Sequence, residues 1–177
     1  MAKSLPLVID PDPRLRQHSK MVPLAVITEP ETQTFIDSMY KTMKTNNGVG
    51  LAAVQVGRLD KIIIVDTQDG PLALFNTVIK KRSLFKEEGE EGCLSIPGVF
   101  GLVKRSKSVT VAAHDRAGKP TTFTAKGFFA RVLQHEIDHT NGILFIDRTK
   151  KIITGEANHR WSPQIVHWWP KTKNQLS

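Results

Sequence analysis

Cysteine occurs only once in these 177 residues, and every apolar run is short. A lone Cys93 excludes an internal disulfide and points to a reducing, cytoplasmic compartment. No stretch approaches the roughly 20 apolar residues that a membrane helix needs, so no membrane partner is expected. The opening Met1-Ala2-Lys3-Ser4-Leu5-Pro6 lacks the continuous apolar segment of a secretory signal. Repeats, low-complexity tracts and linkers are also missing, which leaves a single domain over 1–177, with a tail at 160–177 to which no structure is assigned. Acidic residues are in deficit, 17 against 25 basic ones, for a net charge of +8. That balance suits polyanionic surroundings such as RNA or a ribosome surface. The basic residues (Lys80-Lys81-Arg82, Lys104-Arg105, Lys150-Lys151) are scattered and form no nucleic-acid motif, which argues against sequence-specific nucleic-acid binding.

The chemistry is concentrated in Gln134-His135-Glu136-Ile137-Asp138-His139. On a helix, residues four apart share a face, so His135 and His139 can hold one metal ion with Glu136 beside it. An open site of three protein ligands and one water suits metal-assisted hydrolysis, and a neighbouring carboxylate can move the proton of that water. The same pentapeptide can also fall on an exposed helix as ordinary polar residues. The flanks favour the site: Phe128, Phe129, Val132, Leu133 and Ile137 recur at helical spacing. A helix so apolar carries buried polar groups only if they are partnered. Asn141-Gly142 supplies its stop.

Along the chain, residues 5–27 read as irregular, broken by Pro6, Pro11, Pro13 and Pro23. Thr28 reads as a helix cap, with Pro30 in the first turn and Glu31 completing a capping box. Phe35, Ile36, Met39, Tyr40 and Met43 then form an apolar stripe up to Asn46-Asn47-Gly48. The period next shortens to β-like runs at Lys61–Asp66, Leu72–Ile79, Ser83–Glu88, Val99–Val103, Ser108–Asp115 and Thr121–Ala125, with Ile143–Ile146 a short strand candidate after the histidine helix. Helix, many strands, helix predicts an α+β fold: mostly antiparallel sheets around a central metal-binding helix, with one N-terminal packing helix.

Two further segments stand out. Cys93, in Glu91-Gly92-Cys93-Leu94-Ser95, can be an inert core residue, a nucleophile or a third metal ligand. Gly48-Val49-Gly50-Leu51-Ala52-Ala53-Val54-Gln55 imitates a dinucleotide fingerprint, but a helix precedes it and strand-like residues follow, the reverse of the required context. Flexible backbone at Gly48 and Gly50 suits an edge that pairs with an extended peptide, and Gln55 offers an amide donor. Arg105 can pair with Glu91 or Asp138 and so orient the loop that carries Cys93.

Taken in order, 48–55, 91–95 and 134–139 closely resemble the three signature motifs of peptide deformylases, and the likeness runs from Asp10-Pro11-Asp12-Pro13 to Leu144-Phe145-Ile146-Asp147. The resemblance implies a hydrolase that removes formyl from the N-terminal methionine of nascent chains and releases formate. It implies that Cys93, His135 and His139 hold one divalent metal, natively Fe(2+), with Zn, Ni or Co as substitutes in purified protein. Glu136 is then the general acid/base for a metal-activated hydroxide that attacks the formyl carbon. Gln55 and the Leu94 backbone N–H stabilise the oxyanion, and Gly50 pairs with the substrate backbone. Phe128 and Val132, two turns and one turn before His135, are candidates for the slot that takes the methionine side chain, with plain core as their alternative. The implied partners are N-formyl-Met peptides and, transiently, the ribosome. Thr140 departs from the leucine usual after the second histidine, and the tail with Pro163 and Pro170 does not resemble the long C-terminal helix of some bacterial members. Two rival readings are a zinc-dependent peptidase and a catalytically silent, ribosome-binding relative.

Overall fold

The computed structural model describes residues 2–154; the 160–177 tail lies outside them. In chain order the described elements are α1 (Leu24–Ile27), α2 (Pro30–Thr45), β1 (Gly50–Ala52), β2 (Ile62–Thr67), β3 (Gly70–Arg82), β4 (Lys86–Cys93), β5 (Ile96–Ser106), β6 (Ser108–His114), β7 (Pro120–Lys126), α3 (Gly127–Thr140) and β8 (Ile152–Thr154). Short 3-10 turns cover Pro13–Arg16, Ala53–Val56 and Phe145–Asp147.

The apolar run of β2 sets the layering. Ile62 and Ile64 point to one side of the sheet and Ile63 and Val65 to the other, because successive strand side chains alternate. All four are buried. Ile62 and Ile64 pack with Ile36, Met39 and Met43 of α2. Ile63 and Val65 pack with Phe129, Ala130, Val132, Leu133 and Ile137 of α3. Each fully buried side chain of this size contributes about 1.5–3 kcal/mol. Helices thus cover both faces of a five-stranded antiparallel sheet of order β1-β2-β3-β6-β7. A second antiparallel sheet, β4-β5-β8, closes over the far side of α3. A third cluster joins it to the N-terminal segment through Val8, Leu15, Ile96, Val103, Leu144 and Phe145. The α+β architecture around a central helix is the one the sequence predicts.

Four local expectations are corrected. The 5–27 segment is not wholly irregular, since it holds the Pro13–Arg16 turn and α1. Thr28 closes α1 rather than opening α2: Glu29 is the N-cap, its carbonyl accepts the Gln33 N–H at 3.0 Å, and no side chain caps the helix. Pro30, the first residue of α2, already fixes the entry, so the capping box is not needed to set it. Ser83–Glu88 is not one strand. Ser83 to Phe85 forms the turn between β3 and β4, where Leu84 and Phe85 are 94% and 80% exposed, so no sheet face covers them. Ile143–Ile146 is not a strand either; the Asp147 carboxylate accepts the Leu144 N–H at 2.8 Å and winds the segment into its 3-10 turn. Thr140 fits without loosening the helix, because its buried hydroxyl donates to the Ile137 carbonyl at 2.8 Å.

Candidate active site

Helical spacing performs the first part of the assembly. His135 and His139 lie one turn apart on α3, with their Nε2 atoms 3.1 Å from each other. Gly142, at φ +70, ends this helix against the Arg16 backbone, where no side chain fits. Cys93 arrives from the second sheet, as the last residue of β4. Its Sγ stands 3.3 Å from His139 Nε2, and the three ligand atoms lie within 4.8 Å of one another. A tetrahedral divalent ion, about 2.0–2.1 Å from nitrogen and 2.3 Å from sulfur, separates its ligands by roughly 3.3–3.6 Å. The three atoms fit one such ion.

The closeness of these groups also shapes the protonation of the two rings. Burial works against a proton on His135, yet hydrogen bonds with Cys93 and Glu91 hold its pKa well above the usual imidazole value. For His139 the reverse holds: burial, and then the charge on His135, press it well below.

Glu136 is buried beside this point, and its Oε2 has no hydrogen-bond partner among the described residues. Burial pushes its carboxyl up to about 7, with the His135 charge opposing. Such a group can take up and return a proton near neutrality. Against it lies β1, whose Gly50 leaves no room for a side chain: an ideal Cβ there would stand 2.8 Å from Glu136 Cδ. The sequence reading attributed this glycine to flexibility; the structure attributes it to the close approach of Glu136. Gly50→Ala should therefore displace the carboxyl and lower kcat about 100-fold, since a misplacement of about 1 Å costs that much. Formate-release kinetics beside a thermal melt check this, and a kcat within twofold of the parent would refute it.

Gln55 sits in the Ala53–Val56 turn with both ends of its amide fixed. Its Oε1 accepts the Ala52 N–H at 2.8 Å, which turns Nε2 toward Ser95 Oγ (3.2 Å) and Cys93 Sγ (3.3 Å). Leu94 follows Cys93 in the turn into β5, its side chain packed over Gly48. Phe128, Val132 and Glu136 fall four residues apart on one stripe of α3. Val132 is buried and Phe128 half-buried in the core facing the first sheet.

Beneath Cys93 and the two histidines lies a chain of charges. Glu91 accepts Arg105 Nε and Nη2, each at 2.8 Å, and His135 Nδ1 at 3.0 Å. Arg105 also bridges to Asp138, so it pairs with both carboxylates the sequence offered it. Burial opposes ionisation of Glu91, but the Arg105 and His135 hydrogen bonds hold it well below the usual carboxylate range. Removing one partner of such a buried pair costs roughly 3–5 kcal/mol. Sequence reasoning missed three contributors. Arg131 donates to Glu91, Arg148 donates to Asp138 at 2.7 Å, and the Phe145 ring stacks on His135 with centroids 6.2 Å apart. Only Arg131 left a signal, as a cation one turn before His135 on an apolar helix.

A thiol and two imidazoles facing one point, with a buried carboxyl of near-neutral pKa alongside, define a metal-dependent hydrolase. The chain belongs to the polypeptide deformylase family, whose family model matches residues 4–154. It is 49% identical over 143 residues to the peptide deformylase of Halothermothrix orenii, covering 80% of this chain and 90% of that one. It is 47% identical over 147 residues to peptide deformylase 2 of Vibrio vulnificus, covering 81% and 84%. Among solved structures, the Met-Ala-Ser-bound class I type b peptide deformylase of Acinetobacter baumannii superposes with a TM-score of 0.80 at 34% identity, over 84% of this chain and 99% of that one.

Proposed function

We propose that this chain removes the formyl group from the N-terminal formyl-methionine of nascent polypeptides, with Cys93, His135 and His139 as metal ligands and Glu136 as general acid/base. The observation that carries the reading is the convergence of those four side chains, drawn from two separate elements, in a chain of this family. When bound, a divalent cation supplies Lewis acidity that polarises the formyl oxygen and acidifies a water. Glu136 accepts the proton of the attacking water and returns it to the departing amine nitrogen, so the formyl carbon leaves as formate. Gln55 Nε2 and the Leu94 backbone N–H donate to the formyl oxygen as its charge grows, each worth about 3 kcal/mol. For Gln55 this exchanges the Cys93 contact for the substrate, while Ser95 and Ala52 keep the amide aimed.

The substrate backbone adds to β1 at Gly50, the strand at one end of the five-stranded sheet. Its methionine side chain runs along the Phe128–Val132 stripe that leads to Glu136. The Met-Ala-Ser held by the Acinetobacter relative is a peptide of that kind. A thiolate with two imidazoles is a donor set of intermediate softness, which suits ferrous iron natively and admits nickel, cobalt or zinc. The net charge of +8 supports transient residence on the ribosome, and the single thiol supports a cytoplasmic setting. None of the described helices is long and apolar enough to cross a membrane.

The deciding assay is formate release from formyl-Met-Ala-Ser by anaerobically loaded protein, beside acetyl-Met-Ala-Ser and an internal peptide. Turnover of the formyl peptide alone is expected. Cleavage of the internal peptide without formate would replace this reading with a zinc peptidase. Within the mechanism, Gln55→Leu should lower kcat about 100-fold with KM within a few-fold, as for a donor that acts on the transition state. A raised KM at unchanged kcat would make Gln55 a binding residue only.

A further inference from the structure

We infer that Arg131 is a positioning residue for the metal ligands: it sets the distance between the strand that carries Cys93 and the helix that carries His135 and His139. Arg131 lies one turn before His135 on α3 and is buried. Its guanidinium reaches across to the second sheet. Nη1 donates to Glu91 Oε1 and the Val103 carbonyl, both at 2.8 Å, and more weakly to the Gly89 carbonyl at 3.3 Å. Nη2 donates to the Glu87 carbonyl at 2.9 Å. Three of these acceptors, Glu87, Gly89 and Glu91, lie on alternate residues of β4, the strand that ends on Cys93. One planar fork therefore fixes the register of β4 against α3, which a flexible ammonium cannot do.

The same contact reaches His135. Glu91 Oε1 is shared by Arg131 and Arg105, while Oε2 accepts from Arg105 Nη2 and faces His135 Nδ1. With Glu91 held by two guanidiniums, His135 keeps Nε2 turned toward Cys93 and His139. Partners of this kind usually change metal affinity 10- to 100-fold. Gly89 is the companion feature. An ideal Cβ there would stand 2.8 Å from Arg131 Nη2 and 2.9 Å from Cζ, so the guanidinium occupies the space that any other residue at 89 would fill.

The inference rests on the ligand assignment of Cys93, His135 and His139, so the experiment tests the two separately. Cobalt is loaded into parent protein and into Arg131→Met, Arg131→Lys, Gly89→Ala and the Gly89→Ala/Arg131→Met double variant. The readouts are the thiolate-to-cobalt charge-transfer band, the cobalt Kd by chelator competition, and the melting temperature of the metal-free protein. A parent without the band overturns the ligand assignment and this inference with it. With the band present, Arg131→Met should raise the Kd at least about 10-fold and weaken the band, and Arg131→Lys should recover only part. Gly89→Ala should act in the same direction with Arg131 intact, and the double variant should be no worse than Arg131→Met alone. A Kd within twofold of parent for Arg131→Met, whatever its melting temperature, reduces Arg131 to a fold-stabilising residue and overturns the inference. An unchanged Gly89→Ala, or full additivity in the double variant, overturns it as well. Should Arg131→Met fail to fold, Arg131→Lys and Gly89→Ala decide by the same criteria.

Discussion

Glu136→Ala is expected to keep its metal and lose about 10²–10⁴-fold in kcat, because the substitution removes proton transfer and leaves the three ligands in place. The expected change in stability is small or favourable. Glu136 is buried with Oε2 unpartnered among the described residues, and a buried polar group without a hydrogen bond costs free energy. Alanine relieves that cost but leaves a space, so Glu136→Gln, which keeps the volume and cannot relay a proton, is the companion variant. Both should be inactive at full metal occupancy, measured by metal content beside single-turnover formate release. Loss of metal in step with activity would make Glu136 structural, and near-parental activity would remove it from the mechanism. The acid limb of the wild-type profile cannot stand in for this test, because His135 and Glu91 lie close enough to influence the same titration.

Cys93→Ser should lose metal and activity together, by about 100-fold or more, and should do so without unfolding. Serine presents a neutral hydroxyl where a coordinating thiol is deprotonated outright, and it is a far poorer ligand. The fold should survive, because Gln55 keeps its bonds to Ala52 and Ser95 when the sulfur contact is lost, and the Glu91 pairs do not involve sulfur. The same thiolate should make iron-loaded protein fragile in air, since a ligand sulfur next to redox-active iron climbs the oxidation ladder readily. Nickel- or cobalt-loaded protein should keep activity after aeration when the iron form has lost it. Metal content and formate release, each before and after exposure, test both points. Stoichiometric metal with unchanged activity in Cys93→Ser would sink the ligand assignment, and an iron form as durable in air as the nickel form would sink the account of its fragility.

What could be read from the chain alone was whatever one element's own periodicity encodes. His135 and His139 share a face by helical spacing, and Ile62 to Val65 alternate between two buried faces by strand spacing, so α3, β2 and the layering around them were legible. The order of the motifs carried the family, and with it Cys93, Gln55 and Glu136. Arg105 with two carboxylates near the motifs could be named as a support, and the structure joins it to both. The errors fall where local signals compete. Thr28, Glu29 and Pro30 all offer helix starts, and because Thr28 is used to close α1, Glu29 becomes the cap of α2. Ser83–Glu88 and Ile143–Ile146 are short runs whose state depends on their neighbours: Ser83–Phe85 is an exposed turn ahead of β4, and Phe145–Asp147 is a 3-10 turn fixed by Asp147. The tertiary structure alone decided that Gly50 is glycine because Glu136 lies against it, that Phe145 backs His135, and that Arg131 spans from α3 to β4. Those contacts join separate elements, and no periodicity in a single chain records which buried charge will meet which carbonyl once two sheets close on one helix.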